Sequence, residues 1–173
     1  MLTDVSPAIT PTSTLEWHVA HTRPRREKKL AEYCAREGFL STLPCYKSVK
    51  RYRGKVAVFL KPLFPNYLFL QLRPEQKQKV YQSDHVANLL KVPDPDVFEQ
   101  QLKDILAALD TEVEVRLAPQ VQAGIRVKIK SGPLRGLEGW VESRSGMSDV
   151  FLRLDFIQQA ASVKIHADDL ELI

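Results

Sequence analysis

The chain has 173 residues, a hydrophobic fraction of 44% and a formal net charge of +4. That is room for one mid-sized domain or two small ones with an adequate core, and it argues against wholesale disorder. No apolar run approaches the roughly 18 residues that span a bilayer, and the opening "MLTDVSPAITPTST" lacks the basic and apolar regions of a secretory signal. A cytoplasmic, membrane-free protein with a loose Ser/Thr/Pro tail over residues 1–14 is the expectation.

The charge is unevenly spread. Glu16 to Arg73 carries 13 Lys and Arg against 4 acidic residues, Pro74 to Gln120 carries 5 against 9, and the remainder 7 against 7. A basic excess confined to the first third steers a protein toward a polyanion, most often nucleic acid.

In chain order, "LEWHVAH" at 15–21 reads as a first strand. "PRREKKLAEYCAREGF" follows with Leu30, Ala31, Cys34 and Ala35 at helical spacing and Gly38 as a stop. "STLPCYKSVKRY" and "KVAVFLK" flank Arg53-Gly54 and read as two strands of a basic hairpin. "NYLFLQL" is a longer strand, apolar on both parities: Leu68, Leu70 and Leu72 on one face, Tyr67 and Phe69 on the other. Such a strand has helices over both faces, or keeps its aromatic face for a partner. "PEQKQKVYQ" is short and helical, opening on Pro74, and "HVANLLKV" is a further strand. "DPDVFEQQLKDILAALD" is the clearest helix, with an Asp96/Glu99 capping box and a stripe of Val97, Leu102, Ile105, Leu106 and Leu109. This order describes an α+β domain, an antiparallel sheet with flanking helices, over residues 15–110.

Residues 111–121 read as an extended linker. Beyond it, short alternating strands recur every eight to twelve residues around Val127/Ile129, Trp140/Val141, Val150–Leu154, Val163/Ile165 and Leu170–Ile173. Five strands in residues 122–173 suit a small SH3-like β-barrel.

Nothing in the chain announces catalysis. His18, His21, His85 and His166 are scattered, no nucleophile elbow, phosphate loop or zinc motif occurs, and Cys34 and Cys45 match no metal spacing. The expectation is a protein that is not an enzyme and has no catalytic, metal or cofactor site, with both cysteines as buried thiols.

The turn "SGPLRGLEG" carries the first specific signal. Gly124, Val127, Ile129, Gly132, Pro133, Leu134, Gly136 and Gly139 stand in the register of a KOW motif. Ahead of it, "WHVAHTRPRREKKLAEYC" and "PLFPNYLFL" resemble the first strand and helix and the central strand of the NusG amino-terminal domain. The chain from residue 15 onward is thereby identified as a member of the NusG family of transcription elongation factors. "FPNY" at Phe64–Tyr67, where housekeeping members read "FPGY", is similar to the specialised RfaH-like paralogs that act on selected operons.

The resemblance implies a factor that docks on the clamp helices of RNA polymerase's largest subunit, bridges the DNA cleft and suppresses pausing and termination. His21, Phe64, Pro65, Asn66, Tyr67 and Phe69 would form the polymerase-binding face, leaving Leu68, Leu70 and Leu72 for the core. Arg23, Arg25, Arg26 and Lys29 at the first helix, with Lys50, Arg51, Arg53 and Lys55 at the hairpin tip, would meet upstream or non-template DNA. The KOW barrel would recruit a ribosomal protein or Rho through Leu134 and Arg135. The factor would act as a monomer. The His-Thr-Thr stretch of RfaH is missing near "KQKVYQ", so the contact it makes across the cleft is not carried over. Three glycines and a proline between 132 and 139 would cost a helix about 6 kcal/mol at most, so the barrel is expected to stay β rather than refold. The alternatives are a ribosome-associated KOW protein that binds RNA, and housekeeping NusG.

Overall fold

A computed structural model of the chain describes residues 14–119, 124–142 and 146–173. The tail expected over residues 1–14 lies outside the described residues except for Thr14. Strands β1 (Glu16–Thr22), β2 (Leu40–Thr42), β5 (Tyr67–Leu72) and β6 (Val86–Lys91) form an antiparallel sheet in the order β2-β5-β1-β6. Helix α1 (Glu27–Glu37) lies between β1 and β2, α2 (Lys77–Tyr81) between β5 and β6, and α3 (Pro95–Leu109) follows β6. Strands β3 (Cys45–Tyr52) and β4 (Lys55–Pro62) form a separate two-stranded hairpin. Its turn residues Arg53 and Gly54 both have positive φ, 48° and 75°, the signature of a tight two-residue hairpin loop.

The two apolar parities of β5 are resolved by helices on both sides. Leu68, Leu70 and Leu72 are fully buried in one cluster with Leu30 and Cys34 of α1 and Val80 of α2. Phe69 and Phe64, expected to face a partner, are sealed at 0% and 1% exposure in a second cluster with Phe98, Leu102 and Ile105 of α3. Phe98 is the hub, with edge-to-face ring contacts to Trp17 at 5.3 Å and Phe69 at 5.5 Å. The expectation for Phe64 and Phe69 therefore fails, because α3 supplies the large apolar surface that their rings need.

Helix α3 itself starts earlier than its sequence pattern suggests. Asp94, not Asp96, is the N-cap, accepting the Val97 backbone N–H at 3.3 Å, and Pro95 occupies the first turn. Its inward stripe is Phe98, Leu102, Ile105 and Ala108, while Val97 remains 46% exposed. Helix α1 likewise begins at Glu27, so Arg23, Arg25 and Arg26 belong to the turn before it and only Lys29 lies in the helix. Glu27 opens the helix with a carboxylate, in line with the helix dipole, and Lys28 and Lys29 follow it.

The second sheet is antiparallel and six-stranded. It runs β12-β8-β9-β10-β11-β7, with β7 Val115–Pro119, β8 Ile125–Ile129, β9 Glu138–Val141, β10 Met147–Leu154, β11 Gln159–His166 and β12 Leu170–Leu172. Five strands were expected; the sixth, β7, comes from the segment read as a linker. Ala118 and Val115 pair with Ala160 and Val163 of β11 and are buried, which makes that segment part of the sheet. Gly139 is fixed by packing: a Cβ there would lie 2.6 Å from Val150 Cγ1 and 2.9 Å from the Phe151 carbonyl oxygen.

The sheets are not separate bodies joined by a tether. Helix α3 packs on β10, Phe98 meets Phe156 edge-to-face at 6.3 Å, and Gln101 hydrogen-bonds Asp155 twice. The Gln101 Nε2 donates to the Asp155 carboxylate at 2.7 Å and its Oε1 accepts the Asp155 N–H at 3.1 Å. One continuous core runs from Val19 through α3 to Leu170.

Candidate functional site

The turn Phe64-Pro65-Asn66-Tyr67 enters β5, closed by the Tyr67 N–H to the Phe64 carbonyl at 3.3 Å. Proline at its second place and a left-handed third residue, Asn66 with φ 71°, fit a type II turn. That geometry explains the residue at this position physically: it must tolerate αL, as asparagine and glycine do. Two bonds brace the turn. The Asn66 N–H donates to the Glu27 carboxylate at 2.8 Å, and the Asn66 carbonyl accepts from the Thr22 N–H at 2.8 Å. Glu27 is itself only 8% exposed, so a buried charge on α1 has this backbone donor as its partner.

Phe64 anchors the turn from beneath, and what remains at the surface is small. Pro65 is exposed, Asn66 and Tyr67 are half-buried, and His21 is exposed. His21 stands opposite Tyr67 in the β1–β5 register, and the two rings stack at 5.4 Å with 25° between their planes. Of the six residues expected at this face, the structure brings these four together at the surface and places Phe64 and Phe69 under them.

The cations ahead of α1 divide. Arg23 pairs with Asp84 at 3.2 Å, both side chains exposed. Arg26 Nη1 lies 3.2 Å from His85 Nδ1. Desolvation, then the charges of Arg26 and Lys29, hold the His85 imidazole below its ordinary pKa, so its neutral Nδ1 accepts that bond. Arg25 and Lys29 are exposed.

The cations of the hairpin are split by strand alternation. Lys50 and Lys55 share a face with Tyr52 and Phe59, aromatic rings that are 69% and 50% exposed. Arg51 lies on the opposite face with Val49, Val56, Val58 and Leu60, all at least 55% exposed. Arg53 is in the turn between them. Lys50 and Lys55 are thus interleaved with aromatics, and the Arg53 guanidinium lies over the Tyr52 ring at 5.4 Å, a pattern suited to nucleic acid. The sequence marked the cations but missed Tyr52 and Phe59; pairing the two strands across Arg53-Gly54 would have found them.

At the second sheet, Leu134 is 2% exposed and belongs to the core, so it is unavailable to a partner; of the two residues expected there, Arg135 alone is exposed. The apolar side chain plugs the turn between β8 and β9. Cys34 is buried and its thiol is pushed up to about 11, whereas Cys45 is half-buried, with desolvation again raising its pKa. Among the described residues no group of three or more His, Cys, Asp or Glu could hold a metal ion, and no helix is long and apolar enough to cross a membrane.

A sheet flanked by helices on both faces, carrying a braced aromatic turn and a basic hairpin, is the arrangement over which a known family matches. The family model described as transcription termination factor nusG matches residues 15–108, and the chain belongs to the NusG family of transcription factors. No curated protein matches the chain with significance. Among solved structures, the crystal structure of an MjSpt4:Spt5 complex, conformation B, is similar at 13% identity. That match covers 91% of this chain and 96% of the other with a TM-score of 0.30, a likeness too loose to bear on the fold.

Proposed function

We propose that this protein is a non-catalytic elongation and antitermination factor that rides on RNA polymerase through the clamp helices of its largest subunit. The observation that carries the reading is the stacked His21–Tyr67 pair beside the exposed Pro65, set on the domain that the family match covers. A half-buried aromatic held rigid by a braced turn loses little entropy on docking and is typical of interface hot spots. Phe64 and Phe69 act as its buried footing.

In this reading Lys50 and Lys55, with Tyr52 and Phe59, meet upstream or non-template DNA, and Arg25 and Lys29 add phosphate contacts. The C-terminal sheet serves as a KOW-type module that recruits a second partner, a ribosomal protein or Rho, near Arg135. Action is cytoplasmic, by a monomer, on selected operons.

The test is co-purification with core polymerase. Tyr67→Ala combined with His21→Ala should lower binding at least tenfold while leaving the far-ultraviolet circular dichroism spectrum unchanged. Wild-type retention by a folded double variant would overturn the placement.

A further inference from the structure

Two strand edges stand open across a groove. The β3–β4 sheet holds only those two strands among the described residues, and β7 is an outer strand of the six-stranded sheet. Between them lies a groove of about 730 Å³. Four consecutive residues of β3, from Tyr46 to Val49, line one side, and three consecutive residues of β7, Val115, Arg116 and Leu117, line the other. Consecutive residues point to opposite faces of a strand, so both strands present their edges to the groove. Val113 and Leu109 complete an apolar floor, and Val49 and Leu117 remain 60% and 47% exposed.

Hairpin geometry says which backbone groups are available. In a two-residue loop the closing pair, here Tyr52 and Lys55, is hydrogen-bonded, and hydrogen-bonded pairs then alternate down the ladder. Lys47, Val49 and Arg51 therefore turn their N–H and C=O outward, away from β4.

We propose that this groove takes up an extended segment of a partner protein, apolar at every second residue, which adds as a strand to β3. Open backbone donors and acceptors beside an apolar floor are what strand addition needs, the floor reading alternate side chains. Charge selects against the other occupants. Lys47 and Arg116 are balanced by Glu112 and Glu114, with ion pairs at 3.7 and 3.0 Å, so a polyanion gains nothing in the groove. A second copy pairing through β3 would oppose two arms that each carry six Lys and Arg and no acid between Cys45 and Pro62.

The experiment uses the full chain and a panel of short synthetic peptides in which valine, leucine or phenylalanine alternates with threonine, with an aspartate at each end. Saturable binding by at least one peptide, with amide exchange slowed at Lys47 and Val49, is the expected result. Val49→Lys and Leu117→Lys, each folded by circular dichroism, should weaken that binding at least tenfold. Absence of saturable binding across the panel, or protection confined to other segments, overturns the proposal. So does protection of the same amides by duplex DNA in a Lys50→Gln/Lys55→Gln variant, or by raising the protein's own concentration, since the occupant would then be nucleic acid or a second copy.

Discussion

The Glu27 carboxylate accepts the backbone N–H of Asn66 at 2.8 Å, joining the first turn of α1 to the turn that delivers Tyr67. A nearly buried negative charge near a helix N-terminus is satisfied by the helix dipole on one side and by a left-handed turn on the other. The turn that presents Tyr67 is thus braced from the first residue of α1.

Breaking that link should cost stability and loosen the turn together. Glu27→Ala is expected to lose about 1.5–3 kcal/mol, the usual range for a hydrogen bond to a charged group. Asn66→Gly should be close to neutral, whereas Asn66→Val should lose more than the roughly 1–2 kcal/mol of an ordinary residue held in αL. Urea denaturation of the three variants measures the order.

Phe98 joins Trp17 and Phe69 to Phe156 of the second sheet, so its removal should be felt in both halves. Phe98→Ala is expected to cost about 3–5 kcal/mol. Wild-type unfolding should show one transition by near-ultraviolet dichroism and fluorescence alike. In the variant the N-terminal signal, reported by Trp17, should move to lower denaturant ahead of that from Trp140.

Gly139 leaves no room for a methyl group against Val150 and the Phe151 carbonyl. Gly139→Ala should destabilise by about 1–3 kcal/mol through overpacking, and more if the backbone oxygen cannot give way. A melting curve of the variant beside the wild type decides it.

His18 is fully buried, its Nδ1 bonded to the Glu16 carbonyl at 2.9 Å and its Nε2 without a partner. Desolvation, the largest cause, holds its pKa below the ordinary value of 6.5. Below about pH 6.5 an unfolded chain takes up a proton there that the folded chain refuses. Stability contributed by the neutral ring is therefore full above 6.5 and is lost as pH falls toward the lower folded pKa. His18→Gln should flatten the decline of melting temperature just below pH 6.5; an unchanged slope would assign the acid sensitivity elsewhere.

Lys50 and Lys55 on the aromatic face of the hairpin should each carry a phosphate. Replacing both by Gln should reduce the slope of log affinity against log salt on duplex DNA by about 1.8, at 0.9 per contact. Arg51→Gln, on the aliphatic face, should change that slope by less than either lysine alone.

β2 was read into the hairpin and β7 as a linker, but most strands of the first sheet, the hairpin, and five strands and the glycine turns of the second were legible because alternation and turn chemistry are local. What covers a surface is not. The two apolar parities of β5 allowed either a second helix layer or a waiting partner, and only the placement of α3 decided between them. The same blindness misplaced Leu134, whose exposed neighbours in a glycine-rich turn gave no sign that it plugs the core. Asp94 was passed over as a cap because Asp96 with Glu99 offered a capping-box pattern two residues on. The ring stacking of His21 on Tyr67 rests on a register between distant strands, and the splitting of Arg51 from Lys50 and Lys55 needed the hairpin's register before faces could be assigned.

The pairing of β7 with β11 decides where the chain can be divided. A C-terminal piece begun at residue 122 would discard a border strand and bare the flank of β11 from Gln159 to Val163, a stretch with two buried alanines and a buried valine. Such a flank recruits other chains, and the piece should aggregate even though its remaining strands are intact. Cutting at Thr111 instead keeps the border strand with the sheet it closes.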